Sequence, residues 1–246
     1  MTKPLLYIFP ISHFSEKARW GLDLASYDYE LKPLIPGTHV QILKPIVSEA
    51  YVPVLQNGET VIQGSGAILD LVERQAFAEP ATEEEKEWEN KIDTQIGKSL
   101  QTILYSFILE HPEIIGKLFQ LTPLPKPVTV GPPEHFDLIS LVLRKRYKVT
   151  PKNTEAVKEV FRQSTDELKK IYSERKFFNG KSFGRVDLTV ASLLGNMVLP
   201  KECPCTPWLS SVDMPQPFID WKNSLGAESL YQKVSDFYTE FRIQSK

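Results

Sequence analysis

The chain has 246 residues, 41% hydrophobic and 24% charged, enough to bury one large core or two modest ones. Its 29 basic and 31 acidic side chains give a formal net charge of −2, so no basic face is implied for nucleic acid. No apolar run is long enough to span a bilayer, so a membrane is not an expected partner either.

Met1-Thr2-Lys3-Pro4 leads straight into a strand-like segment, without the apolar region and cleavage site of a secretory signal. Only two cysteines, Cys203 and Cys205, are present, too few for a disulfide framework. The expectation is a reducing, cytoplasmic setting.

Residues 5–9 form a short apolar run of strand length, ended by Pro10. Residues 15–25 then place Ala18, Leu22 and Ala25 on one helical face, with Trp20 and Leu24 nearby. Residues 29–34 read as a second strand, stopped by Pro36-Gly37. Residues 39–47 read as a short or irregular helix interrupted by Pro45. Residues 52–55 and 59–62 flank Asn57-Gly58, a strong hairpin signal. Residues 65–77 close the unit as a helix that can bury Ile68, Leu69 and Val72. This order of strand, helix, strand, helix, hairpin and helix predicts a small mixed α/β sheet with helices packed on it.

The composition changes at 78–81, which reads as a linker. Thr82-Glu83-Glu84-Glu85 is a capped, acidic helix start. Helical periodicity then holds to about residue 109 through Trp88, Ile92, Ile96, Leu100, Ile103 and Phe107. Within 112–150 the sequence predicts a shorter helix, a loop rich in proline (Pro123, Pro125, Pro127, Pro132, Pro133), and another helix over 136–146. Helices follow over 153–173 and 186–198, then a loop over 203–217 and two final helices. The division is therefore an α/β domain over 1–78 and an all-α domain over 82–246 with an inserted proline-rich segment.

Four fragments of the first half resemble the glutathione transferase superfamily in order and spacing. Ser12-His13-Phe14-Ser15-Glu16-Lys17-Ala18-Arg19-Trp20 looks like the turn and first helix that carry the thiol-activating residue. Gly37-Thr38-His39 falls where several classes place a glutathione-contacting histidine. Val52-Pro53-Val54-Leu55 looks like the motif holding the cis-proline of thioredoxin-like folds. Gly64-Ser65-Gly66-Ala67-Ile68 resembles the turn that holds the γ-glutamyl group, although Gly64 stands where an acid or amide is usual and Gln63 comes one residue earlier. The resemblance implies a thioredoxin-like N-terminal domain and a helical C-terminal domain. It also implies a homodimer, glutathione as co-substrate without a metal, and a detoxification-type transfer to a small hydrophobic electrophile or peroxide.

Such a transfer needs the glutathione thiolate near neutrality, whereas a free thiol ionises near pH 8.5. Ser12 precedes a helix whose N-terminus supplies positive potential, and its hydroxyl can donate to the sulfur while staying neutral. It is the expected catalytic residue. Ser15, which would more naturally cap the helix, and Tyr7, at the end of the first strand, are the alternatives. His13 either contacts glutathione or faces solvent. With no cysteine in this half, disulfide exchange is not expected there.

By the same resemblance Val52 would offer its backbone to glutathione beside a cis Pro53. Gln63, Gly64 and Ser65 would hold the γ-glutamyl end, and His39, or else Lys44, the glycyl carboxylate. Phe14, Tyr105 and Trp208 would line an electrophile pocket between the domains. Gly184-Arg185-Val186-Asp187 resembles the family's N-capping box, with only Asp187 left to bond back across the turn. Cys203-Pro204-Cys205 makes a poor zinc site with no histidine nearby and is expected on a surface loop. A non-catalytic ligand-binding or protein-interaction module on the same fold is the competing reading; a glutathione-dependent isomerase or dehalogenase is a third.

Overall fold

The computed structural model describes residues 3–120 and 136–242, and the proline-rich stretch 121–135 lies outside the described residues. Strand β1 (Leu5–Ile8) pairs in parallel with β2 (Glu30–Pro33) and antiparallel with β3 (Val54–Asn57). β3 continues into β4 (Thr60–Gln63), giving the order β2-β1-β3-β4. Both faces of β1 are covered, which explains its unbroken apolar run. Leu6 and Ile8 join Ala18, Leu22, Leu55, Ile68 and Val72 on one face. Tyr7 joins Leu34, Leu43, Val52 and Val54 on the other. The hairpin loop falls one residue later than expected: Asn57 pairs with Thr60, leaving Gly58 and Glu59 as the turn. That register sets Leu55 opposite Ile62, keeping the apolar partners on one face.

Helix α1 (His13–Leu24) is covered on two sides. Its Ala18 and Leu22 pack on the sheet, while Trp20 enters the core of the helical half. The intervening elements are α2 (His39–Leu43) and α3 (Ser65–Ala76). The helical half opens with α4 (Glu83–Ile92), started by a complete capping box between Thr82 and Glu85. A π-helical stretch over Asp93–Lys98 links it to α5 (Ser99–Ile108) without a break. Next come α6 (Pro112–Gln120), α7 (Phe136–Arg146) and the long α8 (Pro151–Glu174). The central α9 (Arg185–Val198) is buried along nearly its whole length. Then follow α10 (Thr206–Leu209), α11 (Gln216–Asn223) and α12 (Glu228–Phe241). The segment expected as one loop over 203–217 therefore contains the short α10, because Cys205 and Thr206 accept the amides of Leu209 and Ser210.

One apolar core joins the two halves. Trp20, Leu69 and Phe77 from the first share a cluster with Ile96, Leu100, Leu193, Phe237 and Tyr238 from the second. Polar ties reinforce it. Arg242 bonds Glu16 (2.6 Å) and Asp23 (2.8 Å) on α1, and the Trp20 indole donates to the Phe241 carbonyl (3.1 Å). α1 is thus clamped at its base by the last helix. Among the described residues, no helix is long and apolar enough to cross a membrane.

Candidate functional site

Three segments singled out by sequence meet at one end of the sheet. β1 runs into the turn that carries Ser12, and Tyr7 pairs with Val54 immediately after Pro53. The Val52–Pro53 peptide is cis. The Gly64 amide donates to the Pro53 carbonyl (2.9 Å), which seats the start of α3 against the cis-proline loop. The end of β1, the start of β3 and the end of β4 therefore bring Ser12, Val52, Pro53, Gly64 and Ser65 to the same edge.

At this edge the backbone offers unpaired groups. Among the described residues neither the amide nor the carbonyl of Val52 has a partner, and the Ser65 hydroxyl makes no hydrogen bond. The first backbone bond of α3 is Ile68 N–H to Gly64 O (3.1 Å), so the amides of Ser65, Gly66 and Ala67 precede the helical ladder. Gly64 holds φ 96°, ψ 144°, a conformation that disfavours side chains, and a Cβ there would meet nothing within 4 Å. Glycine stands here for the backbone turn, not for space.

Ser12 is the N-cap of α1. Its Oγ accepts the Ser15 amide (3.3 Å), and its own proton has no acceptor among the described residues. The expectation that Ser15 would be the natural cap is corrected: Ser15 is 1% exposed, and its Oγ accepts the Phe9 amide (3.3 Å), tying the helix back to β1. Tyr7 faces the opposite side of the sheet from α1 and donates to Gln56 Oε1 (3.0 Å). Ser12 and Ser15 both stand at the start of α1 and both accept an amide, but Ser15 is buried whereas Ser12 is partly exposed at the edge that carries Val52 and Ser65.

His13 does not face solvent, which corrects that expectation. It is 4% exposed, and burial lowers its pKa to about 4, against the opposing pull of the Gly97 carbonyl. The imidazole is neutral at pH 7. His39 is half-buried, with Nδ1 accepting the Gly37 amide (2.9 Å) and Nε2 donating to the Ala50 carbonyl (3.1 Å). Burial lowers its pKa as well. Gln63 Nε2 donates to the carbonyls of Glu49 (2.7 Å) and Tyr51 (2.9 Å), bracing the loop before Val52. Lys44 is exposed at the end of α2.

The three aromatics expected to line a pocket have different packing partners. Phe14 packs on the main core beneath Gly97, where an added Cβ would come within 2.6 Å of its ring. Tyr105 stacks on Tyr147 (4.3 Å, 19°) beside a separate cluster built on Ile108, Ile115 and Val149. Trp208 is half-buried on α10. The charge of Arg146, at the end of α7, is felt at both His39 and Tyr105, so that helix end borders the same region. Sequence gave no signal for Arg146, because periodicity does not say where a helix after a long loop will dock.

Also unforeseen is the polar cluster under the α3 N-terminus. Lys17, fully buried on α1, meets Asp93 (2.7 Å) and Glu89 (2.7 Å). Arg185 bonds Glu89 (2.5 Å), Asp70 (2.6 Å), Glu73 (3.1 Å) and the Gly66 carbonyl (2.9 Å). A polar cavity of about 250 Å³ is lined here by Gly66, Ala67, Asp70, Lys86, Glu89, Asn90, Asp93 and Arg185. Arg185 belongs to the capping motif but points between the halves. Asp187 performs the capping, accepting from Gly184 N (2.9 Å), Phe178 N (2.9 Å) and Tyr172 Oη (2.8 Å). Among the described residues no three or more His, Cys, Asp or Glu side chains are placed so that they could hold a metal ion.

Residues 6–80 match the family model for the glutathione S-transferase N-terminal domain. Comparison by sequence with curated proteins gives no match. By structure, the chain is similar to a glutathione transferase of Phanerochaete chrysosporium (13% identity, TM-score 0.64, 100% of both chains covered). It is also similar to a glutathione S-transferase of Ceriporiopsis subvermispora solved with glutathione (13% identity, TM-score 0.59, 100% of both chains). A β-etherase of Sphingobium sp. strain SYK-6 aligns at 16% identity and TM-score 0.58, over 96% of this chain and 99% of that one. At such identities the structural likeness speaks for the fold alone. Residues 6–80 are therefore read as a glutathione S-transferase N-terminal domain, and the chain as a whole has the fold of those transferases.

Proposed function

We propose that this protein is a serine-type glutathione transferase, holding glutathione as its thiolate for attack on a hydrophobic electrophile or peroxide. The observation that carries the reading is the Ser12 hydroxyl: an N-cap whose proton is uncommitted, beside a cis-proline edge and a second helix start. Lowering a thiol pKa by two units takes about 2.7 kcal/mol. A hydrogen bond to a charged sulfur supplies about 1.5–3 kcal/mol and a helix N-terminus about 0.3–1 kcal/mol. The hydroxyl is therefore the larger contributor. The Val52 backbone would pair with the cysteinyl unit, and Ser65 with the neighbouring amides would take the γ-glutamyl carboxylate. A homodimer in the cytoplasm, with no metal, completes the proposal.

The test is the ultraviolet thiolate band of bound glutathione in wild type and Ser12→Ala. The expected result is a thiolate pKa higher by one to two units in the variant, with glutathione affinity changed little. Equal thiolate bands would remove Ser12 from the role.

A second reading is a non-catalytic ligand-binding or interaction module. It is favoured by His39 and Gln63, whose ring nitrogens and amide N–H groups are spent on backbone rather than left for a ligand. Absence of glutathione binding by calorimetry would favour it; micromolar binding would sink its strong form, a module that takes no glutathione.

A further inference from the structure

Cys203 and Cys205 take no part in the site described above. They were expected on the surface, yet they are 2% and 3% exposed, and their sulfurs lie 3.0 Å apart. The backbone causes this approach. The Thr206 amide donates to the Cys203 carbonyl (3.0 Å), so the cysteines occupy the first and third positions of a β-turn with Pro204 second. Even extended, Cα atoms two residues apart separate by only about 7 Å, and a turn brings them into the range a disulfide spans.

The surroundings direct the two thiols differently. Asn196 Nδ2 donates to the Ile11 carbonyl (2.8 Å), which turns Oδ1 toward Cys205, and the Cys205 thiol donates to it (3.1 Å). The buried Tyr238 hydroxyl faces Cys203 from α12. When one proton leaves the pair, the remaining S–H turns onto the new thiolate. This holds the Cys203 thiol below the ordinary range and pushes Cys205 well above it. Buried cysteines usually serve as small apolar fillers, inert because a lone thiolate is costly in such surroundings. Here each sulfur has the other as its partner.

We propose that Cys203 and Cys205 form a dithiol–disulfide site that takes a hydroperoxide as oxidant, independently of any glutathione chemistry at Ser12. The Cys203 thiolate attacks one peroxide oxygen and the O–O bond breaks. Cys203 becomes a sulfenic acid, and the departing hydroxide takes up the proton that Cys203 released, leaving as water. The Cys205 sulfur then attacks the sulfenic sulfur. The S–O bond breaks, and hydroxide leaves with the Cys205 proton as a second water. Two thiols and one hydrogen peroxide give one disulfide and two waters. Oxidation removes the proton that Cys205 donates to Asn196, and with it one of the two anchors of the side chain that holds the Ile11 carbonyl, next to Ser12.

The experiment treats the folded full chain with equimolar hydrogen peroxide and follows intact mass and alkylatable thiols. The expected result is a loss of about 2 Da with a linked Cys203–Cys205 peptide, reversed by dithiothreitol. In C205S the reaction stops at a gain of about 16 Da on Cys203, trapped by dimedone. Two free thiols persisting in the folded wild type, while the urea-unfolded chain oxidises, would overturn the proposal. So would C203S reacting at Cys205 as fast as the wild type. Both readouts concern the two sulfurs only and stand whether or not glutathione binds.

Discussion

Replacing Arg185 by methionine isolates the polar cluster between the two halves. The guanidinium is 4% exposed and serves Glu89 and Glu73, 5% and 13% exposed, together with the Gly66 carbonyl. Its third acid, Asp70, is 59% exposed, so water takes over there at a cost of no more than about 1 kcal/mol. Methionine fills the volume but leaves Glu89, Glu73 and Asp93 with Lys17 as the buried cation and the partly exposed Lys86 on the cavity wall. Removing one partner of a buried pair costs about 3–5 kcal/mol, and the lower value suits a cluster that keeps a lysine and borders a cavity. For a chain of this size about 3 kcal/mol corresponds to a melting temperature lower by roughly 6 °C. In urea the midpoint falls by about 1 M for a slope near 3 kcal/mol/M. Equilibrium urea unfolding of wild type, Arg185→Met and Arg185→Lys is the assay. Lysine should recover under half of the loss, because a single ammonium cannot reproduce the fork. An Arg185→Met midpoint within about 0.3 M of wild type would refute the claim that this arginine joins the halves.

Burial raises the Asp187 pKa to about 6, against the pull of the Gly184 and Phe178 amides and the Tyr172 hydroxyl. The folded state therefore holds this proton more tightly than the unfolded chain, whose carboxyl ionises near 3.8. The group's contribution to stability is complete below about pH 4 and declines as the pH rises through 6, by about 2–3 kcal/mol in all. Urea unfolding of wild type and Asp187→Asn across this window should show a stability difference that shrinks with rising pH; a flat difference would contradict it. His13 moves the opposite way. With its pKa lowered to about 4, the stability gained by keeping it neutral is lost as the pH falls from about 6.5 toward 4. An NMR titration of its ring should give a midpoint near 4, and a value near 6.5 would mean the ring is not buried. Gly64→Ala should cost about 1–3 kcal/mol by denaturant unfolding, entirely from backbone strain at φ 96°. An unchanged midpoint would show that the turn relaxes.

Local pattern carried the outline of the fold. The apolar run at Leu5–Ile8, the hairpin around Gly58, the capping box at Thr82 and the periodicity of α4, α5, α8 and α9 are written in neighbouring residues. Each depends on chain stereochemistry and a period of two or 3.6, so each is legible without knowing what it packs against. The Ser12, Val52-Pro53 and Ser65 segments were legible for the same reason, since turn and helix-start chemistry is local.

Only the tertiary structure decided how these pieces use their side chains. Ser12 and Ser15 look alike in sequence; the difference is that Ser15 is buried against the Phe9 amide. Lys17 and Arg185 stand in separate helix-start motifs of the sequence and meet across the two halves through Glu89. Cys203 and Cys205 read as surface-loop cysteines and are instead buried, with Asn196 of α9 bonded to Cys205. Burial, ionisation and hydrogen-bond partners arise from contacts between residues up to a hundred or more positions apart, and no local period encodes those. The sequence by itself determined the elements and their order, because those rest on backbone geometry; packing decided which polar groups remain free, because that depends on what each element meets.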